Sequence, residues 1–249
     1  MGSAPAGNGH LSRPGARLAF RVGLVGHRPN RLPRDAARLT QLRQTIYAIL
    51  DQLRREAAAL SQGPVLLSAI TPLAEGSDRI FAGEALALGY ALNCPMPFRQ
   101  EEFEKDFLPP TALEQDSLTR FRALLERARK GPGLTVLELH GMRAQAPEAY
   151  AAANKALVEQ SDLLIAVWDG GPAAGHGGTV DAIQDALGRP MPVIWIDARA
   201  PDQWRRLSAM PENTSATRSR LPSVPEETIR CIVRAILVPQ APGRIDGPK

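Results

Sequence analysis

The sequence predicts an α/β protein built on a doubly wound, mainly parallel β-sheet in a single domain. Short, continuously apolar segments alternate along its 249 residues with longer segments whose apolar residues recur every three or four positions. The first pattern is typical of strands buried on both faces of a parallel sheet, and the second of amphipathic helices that cover those faces. Right-handed crossovers between such strands give a Rossmann-like architecture.

The first 100 residues contain three predicted strands and two predicted helices. An apolar segment ending in Gly, residues 18–26, is the first strand, and residues 35–60 follow as an amphipathic helix. The second strand is residues 65–70, the loop 71–77 opens the next helix, and the third strand is residues 90–97. The apolar positions that define the first helix are Leu39, Leu42, Ile46, Ile49, Leu53 and Leu60.

The rest of the chain continues the alternation. We expect one or two helices over residues 101–129, broken at Pro109-Pro110. The further predicted elements are strand 134–139, helix 147–160, strand 163–168, a helix from the glycines at 175–178 to 187, strand 192–197 and helix 225–237. This gives one domain over residues 18–239 between flexible tails at 1–17 and 240–249, with residues 100–130 and 198–224 as insertions or peripheral loops.

Composition excludes several broad classes of protein. With 44% hydrophobic residues the chain can build a core, so global disorder is excluded. Its longest apolar segments are too short to span a bilayer, and its first residues do not show the pattern of a signal peptide. The two cysteines form neither a disulfide framework nor a zinc pattern, and His140 and His176 lack companions at metal spacing. We therefore expect a cytoplasmic protein without membrane contact, bound metal or cofactor.

The positive charge does not indicate a nucleic-acid partner. Of the 30 basic residues only four are Lys, and the 26 Arg are scattered rather than clustered, so that the net charge is +4. A single-strand DNA binder combines a contiguous basic face with stacking aromatic residues, but aromatic residues make up only 5% of this chain. Nucleic-acid binding therefore ranks last among the functions considered.

Three polar or Gly-rich loops follow predicted strands. In open α/β sheets, ligands bind beyond the carboxyl ends of the strands, where these loops meet. The first loop is Gly26-His27-Arg28, the second runs from Ser68 to Asp78, and the third runs from Asp169 to Thr179. Three such loops on one edge predict a ligand site more strongly than any one of them alone.

The third loop carries the strongest signal. Gly175, Gly177, Gly178 and Thr179 lead directly into a predicted helix. Glycines let the backbone approach an anion closely, and the N–H groups at a helix start are donors for a phosphate. The Thr179 hydroxyl could contact the phosphate or act as the N-cap of the helix. The alternative is a tight turn with an N-cap and no ligand.

The first loop offers two further candidates, each with a structural alternative. Arg28 could hold an anion at the edge of the sheet, or it could be a surface residue that bridges Asp35. His27 could serve as an acid/base or contact a ribose, or it could pack inside the loop.

Carboxylates in the other two loops are also candidates. Glu75 and Asp78 bracket Gly76 at a helix start, where the helix dipole alone favours them, although their place beside the expected crevice allows a ribose contact. Asp169 and Gly170, directly after the most apolar strand, are placed similarly.

Several familiar enzyme classes lack their defining residues here. The third loop has no Lys of the P-loop type, and the first loop does not complete the dinucleotide-binding fingerprint, so an ordinary NAD-dependent dehydrogenase is disfavoured. The chain has no Gly-x-Ser-x-Gly motif, which argues against an α/β-hydrolase. Cys94 lies in an apolar strand and is predicted to be a core residue rather than a nucleophile.

The combination of these segments resembles the SLOG superfamily, over about residues 18–197. This Rossmann-like group includes the LOG ("lonely guy") phosphoribohydrolases, DprA-type proteins and nucleotide-sensing domains of channels and bacterial defence systems. The resemblance implies a site for a nucleotide or a nucleotide derivative, built from the three loops. The segments that carry it are residues 22–28, 67–69, 73–78, 97–98, 103–107, 161–170 and 177–179.

One departure from the LOG pattern bears on activity. LOG enzymes carry a Pro-Gly-Gly-x-Gly-Thr-x-x-Glu motif whose Glu belongs to the catalytic apparatus. Aligned on Gly178-Thr179, the position of that Glu is Ala182, and Ala174-Gly175-His176 replaces the Pro-Gly-Gly portion. Asp181 comes one residue early, which on a helix turns it by about 100°. The resemblance thus implies a nucleotide cradle without the hydrolytic acid.

We therefore expect a bacterial domain that senses or binds a nucleotide-derived ligand, ADP-ribose-like or a cyclic derivative, in defence or stress signalling. The alternative is a hydrolase that cleaves the N-glycosidic bond of nucleoside monophosphates, with Glu75, Asp78 or Asp181 as a displaced acid/base. A sensor also needs an output, so we expect a second copy of the chain or a separate effector protein as partner.

Overall fold

The computed structural model describes residues 17–173, 175, 177–211 and 226–238. Within these ranges, seven strands form one sheet: β1 (Ala19–Gly26), β2 (Leu66–Ile70), β3 (Ala91–Met96), β4 (Leu134–Glu138), β5 (Leu163–Trp168), β6 (Val193–Asp197) and β7 (Trp204–Leu207). Their order across the sheet is β4-β3-β2-β1-β5-β6-β7. All neighbours run parallel except β6 and β7, which pair antiparallel. The predicted doubly wound, mainly parallel fold is confirmed.

The α-helices of the described residues cover both faces of this sheet. They are α1 (Ala36–Ala59), α2 (Ser77–Ala87), α3 (Gln100–Phe103), α4 (Ser117–Lys130), α5 (Ala146–Gln160), α6 (Thr179–Leu187) and α7 (Glu226–Leu237). Helix α1 packs against α2 and α7 and α2 packs against α4, while α5 packs against α6. Consecutive residues of β5 point to opposite faces of the sheet, which is why this strand is apolar throughout.

In helix α1 the sequence pattern determines both where the helix begins and which of its faces is buried. The Asp35 carboxylate accepts the N–H of Arg38 at 2.8 Å, which caps the start of the helix. Leu42, Ile46 and Ile49 are then buried on one face, whereas Leu39 at the start of the predicted stripe is partly buried against the same core. The exposed polar residues between them complete the amphipathic pattern.

Two regions predicted as insertions or peripheral loops are more ordered and more deeply packed than expected. Residues 104–107 form a 3₁₀ turn after α3, and Phe103, Phe107 and Phe121 pack together in the main core. Strand β7 lies in the segment 198–224, which was predicted to be an insertion or a peripheral loop, and it extends the sheet beyond β6. Residues 212–224 of that segment, residues 1–16 of the tail predicted at 1–17, and the whole tail predicted at 240–249 lie outside the described residues.

No helix in the described part of the chain is long and apolar enough to cross a membrane. Cys94 is buried in β3, as predicted, and burial raises the pKa of its thiol to about 12. At neutral pH this thiol is therefore protonated, and it behaves as a small apolar core residue.

Candidate functional site

A cavity of about 300 Å³ opens at the carboxyl edge of the sheet, where β1 lies between β2 and β5. This is the point at which the strand order reverses direction, so the chain leads from β1 and from β5 to helices on different sides and leaves a crevice at the edge. The loops after β1, β2, β3 and β5 all line it, together with helix α5. The structure therefore brings the three predicted loops together.

The start of α6 forms one wall of this cavity. Gly175, Gly177, Gly178 and Thr179 all line it. Gly178 is the N-cap of α6 and Thr179 is its first residue, so the alternative in which Thr179 caps the helix is wrong. The first amides of a helix have no intrahelical acceptor, and the helix dipole places partial positive charge there. This wall is suited to an anion.

Gly177 is held in a conformation that a side chain would not allow. Its φ is +75°, and a Cβ at this position would lie 2.7 Å from the backbone N of Ala151 in α5. The Gly177 carbonyl accepts the Asn154 side-chain N–H at 2.6 Å, and its own N–H donates to the Asp181 carboxylate at 2.6 Å. Gly177 is thus held by hydrogen bonds to residues of both α5 and α6.

Arg28 supplies a positive charge to the cavity. Its side chain is 37% exposed, and its Nη1 lies 3.8 Å from the carboxylate of buried Glu75. Asp35, the partner considered in the alternative prediction, pairs with Arg38 instead. Since one guanidinium can face both Glu75 and the cavity, Arg28 is placed to contact an anionic ligand.

Asp78 supplies the carboxylate of the cavity wall. It is only 5% exposed, lies in the first turn of α2 and accepts the Thr71 hydroxyl at 3.0 Å. Burial raises the pKa of Asp78 to about 7, against the lowering effects of the Thr71 hydrogen bond and of Arg28. Asp78 can therefore accept or release a proton near neutral pH.

Glu75 and Gly76 have structural tasks beside the cavity. The Glu75 carboxylate accepts the N–H groups of Leu113 and Glu114, each at 3.0 Å, and so holds the segment before α4. Gly76 has a φ of +91°, and a Cβ there would lie 2.6 Å from the carbonyl oxygen of His27. Neither residue is among those that line the cavity. The N–H bonds to residues 113 and 114, rather than helix capping, explain the buried carboxylate of Glu75.

His27 lines the cavity but is packed inside its loop, the alternative that the sequence left open. Its Nε2 accepts the backbone N–H of Asp169 at 3.0 Å, and burial lowers its pKa, so it is neutral at pH 7. This hydrogen bond joins the loops after β1 and β5.

Asp169 and Gly170 lie behind the cavity rather than in its wall. Arg31 and Arg199 donate to the Asp169 carboxylate at 2.8 and 3.3 Å, and the Gly171 N–H donates to it at 3.0 Å. Although partial burial opposes it, the hydrogen bonds from Gly171 and Arg31, together with the neighbouring His27 ring, hold the pKa of Asp169 well below its usual range. Asp169 thus fixes the loop after β5, and the predicted ribose contact is not favoured by its position.

Ser68 was predicted to begin the second loop of the ligand site, but the structure places it within strand β2. It lies in the middle of β2, beside Arg21 of β1 and Ala91 of β3, and does not line the cavity. The strand continues to Ile70, and Thr71 is the hydroxyl residue at its end. The strand predicted over residues 65–70 ends at the same residue, so the prediction that placed Ser68 with the loop was wrong.

Sequence reasoning missed the residues that other elements bring to the cavity. Tyr150 and Asn154 come from α5, Pro97 follows β3, and Phe103 belongs to α3. Tyr150 and Asn154 are four residues apart and so share a helix face, which is the signal that could have found them. The sequence of α5 does not show that this helix face lies beside the cavity at the carboxyl edge of the sheet.

The structure also separates the three carboxylates considered for acid/base work. Of Glu75, Asp78 and Asp181, only Asp78 lines the cavity. Ala182, at the position of the LOG glutamate, is buried in α6. Among the described residues, no group of three or more His, Cys, Asp or Glu is arranged to hold a metal ion.

Comparison with known proteins gives structural neighbours only. No protein-family model matches the sequence, and no curated protein matches it. The structural-genomics target TM1055 matches 70% of this chain and 72% of its own, with 15% identity and a TM-score of 0.38. DNA processing protein A (DprA) from Streptococcus pneumoniae matches 70% of this chain and 58% of its own, with 16% identity and a TM-score of 0.25.

Proposed function

We propose that this chain binds a nucleotide-derived small molecule, with a phosphate group seated on the start of α6. The observation that carries the proposal is one cavity that combines Gly175, Gly177 and Gly178, the amides at the N-terminus of α6 and the Arg28 guanidinium. Backbone N–H groups, a helix dipole and an arginine together form a strong phosphate-binding arrangement. The resemblance of these loops to the SLOG superfamily supports the same assignment.

The carboxylate that lines the cavity suits the sugar of such a ligand. The Asp78 carboxylate sits at the β2 side of the cavity, whereas the α6 start belongs to the loop after β5. A carboxylate accepts hydrogen bonds from ribose hydroxyls, as it does in dinucleotide-binding folds. We therefore propose an ADP-ribose-like or cyclic nucleotide derivative as the ligand. In a sensor, binding would be passed to a second copy or a separate effector.

The decisive test is a matched pair of substitutions at Gly178. Gly178→Asp places a favourable N-cap residue at the start of α6 but adds a negative charge where the phosphate would lie, whereas Gly178→Asn caps equally well without that charge. The wild-type chain and Gly178→Asn should be stabilised by at least one of AMP, ADP-ribose and cyclic nucleotides in thermal-shift measurements, and Gly178→Asp should not. At a ligand concentration of 100 times Kd the stabilisation is about 2.7 kcal/mol. Absence of any shift in the wild-type chain overturns the proposal.

A second candidate function is favoured by Asp78 alone. A buried carboxyl group with a pKa near 7 inside a ligand cavity can donate a proton to the leaving base of a nucleoside monophosphate. We propose hydrolysis of the N-glycosidic bond as the alternative function on this ground. Release of free base from AMP, lost in Asp78→Asn, would support it. AMP that binds and stays intact after prolonged incubation would leave binding as the function.

A further inference from the structure

The two ends of the cavity lie on different strands and differ in chemistry. Its phosphate-binding wall follows β5, whereas Pro97 and Phe103 follow β3. The intervening order is β3-β2-β1-β5, and neighbouring strands are about 4.8 Å apart, so the strands that lead into these two walls are about 14 Å apart. Tyr150 of α5 lies between them, directly before the Ala151 backbone that Gly177 approaches. A ligand that touches both walls must be extended, with different groups at its two ends.

The wall over β3 is apolar and aromatic. Phe103 is 1% exposed and packs edge-to-face against Phe107, with ring centroids 4.9 Å apart, so its ring is held by the core. Tyr150 packs edge-to-face against Phe98 at 5.7 Å. Pro97 and Phe103 are buried and support this wall from behind, so the half-buried ring of Tyr150 is the surface that it presents to a ligand.

The one polar atom on these three side chains already has a partner. The Tyr150 hydroxyl donates to the Asp106 carboxylate, which also accepts from Arg143. Burial raises the pKa of Tyr150 to about 12, so the hydroxyl remains protonated and keeps donating to Asp106. The side chains of Pro97 and Phe103 have no polar atoms. This wall therefore contacts a ligand through ring surface rather than through side-chain hydrogen bonds.

We propose that Pro97, Phe103 and Tyr150 form a subsite for the flat aromatic base of the ligand, which is recognised by ring contact and shape rather than by hydrogen bonds to the base edge. This inference rests on the proposed function, because the phosphate on α6 sets the direction of the ligand. It adds that the base is required for tight binding and that bases of similar size are accepted alike.

The test compares ligands that differ at one end only. Calorimetric titration with AMP, GMP and ribose 5-phosphate should give similar affinities for the two nucleotides and an affinity about tenfold or more lower for ribose 5-phosphate, since contact of a base with an aromatic side chain has this order of effect. Tyr150→Ala should lower the AMP affinity to near that of ribose 5-phosphate. Tyr150→Phe keeps the ring, loses the bond to Asp106 and should retain AMP affinity.

Each outcome decides between the claims. Equal affinity of the wild-type chain for AMP and ribose 5-phosphate overturns the base subsite while leaving phosphate binding intact. A loss in Tyr150→Phe as large as in Tyr150→Ala, or a difference between AMP and GMP above about tenfold, overturns recognition by ring contact. Failure of all three ligands to bind overturns the base subsite, and the proposed function falls as well when ADP-ribose and cyclic nucleotides also give no thermal shift. The wild-type comparison needs no variant, so it decides even where Tyr150→Ala does not fold.

Discussion

At the scale of single residues, the loops of the site depend on glycines that lie in close contact with other backbone. A Cβ added at Gly76 would lie 2.6 Å from the carbonyl oxygen of His27, and one added at Gly177 would lie 2.7 Å from the backbone N of Ala151 in α5. Both glycines have positive φ, a conformation that L-residues adopt at a cost. These contacts let the loops after β1, β2 and β5 approach one another closely enough to share a cavity.

Gly76→Ala should therefore destabilise the protein, whereas Gly83→Ala in α2, the helix that Gly76 precedes, should not. Gly76 has a φ of +91° and a backbone oxygen 2.6 Å from the added methyl, which predicts a loss of about 2 kcal/mol or more. A Cβ at Gly83 meets nothing within 4 Å, so alanine there should raise the free energy of unfolding by about 1 kcal/mol. Urea unfolding measures both. Equal effects of the two substitutions would contradict the close approach at Gly76.

Asp78 predicts a pH dependence of stability that Asp78→Asn removes. Burial raises its pKa to about 7, above the value of about 3.9 in an unfolded chain, so the folded protein holds a proton that the unfolded chain releases between these values. The contribution of Asp78 to stability therefore falls as pH rises through this window, by at most about 1.4 kcal/mol per pH unit. The free energy of unfolding of the wild-type chain, minus that of Asp78→Asn, should increase as pH is lowered from about 8 to 5. A pH-independent difference would mean that the carboxyl titrates at its ordinary pKa.

At the scale of elements, helix α6 has a double role, because its first turn both closes the glycine loop and faces the cavity. Asp181 in that turn accepts the Gly177 N–H and also places a negative charge beside the proposed phosphate. A carboxylate at a helix start stabilises the helix but competes with an anionic ligand for the same positive field.

Asp181→Asn should consequently tighten phosphate binding. The amide oxygen can still accept the Gly177 N–H, while the repulsion of the ligand is removed, which predicts an affinity about two- to fivefold higher for AMP. Asp185→Asn, one turn further along α6 and paired with Arg189, is the matched control and should leave the affinity unchanged. Calorimetry compares the two. Weaker binding in Asp181→Asn would mean that the carboxylate shapes the loop more than it repels the ligand.

Elements also show which parts of the fold could be predicted. Strands β1, β2, β5 and β6 are predominantly apolar segments, and this pattern was sufficient to predict all four. Strand β7 was missed because Arg205 and Arg206 make it polar, although the Arg205 guanidinium stacks on the Trp195 ring of β6 at 4.5 Å. An edge strand has one neighbour and little need for apolar residues on both faces, so its sequence resembles a loop.

At the scale of the whole molecule, the strand order makes the site. The sequence predicted that three loops would meet, because carboxyl ends of parallel strands share one edge. Their individual roles could not be predicted, since Asp169 and Glu75 turn away to hold neighbouring loops while Asp78 faces the cavity. The contribution of α5 and α3 depends on how helices cross the sheet, which local sequence does not encode. The function proposed here belongs to the assembled edge rather than to any one motif.

Hydrogen exchange with and without ADP-ribose, followed by mass spectrometry, is the most direct test that the loops after β1, β2 and β5 form one nucleotide-binding site. We expect bound ADP-ribose to slow exchange together in residues 26–31, 72–78 and 177–180, segments that follow three different strands and each contribute residues to one cavity. Slowing confined to one of these loops, or to the separate groove formed by Arg99, Glu138 and His140, would contradict a shared site. No change in any segment at saturating ADP-ribose would contradict the assignment of that nucleotide to this cavity.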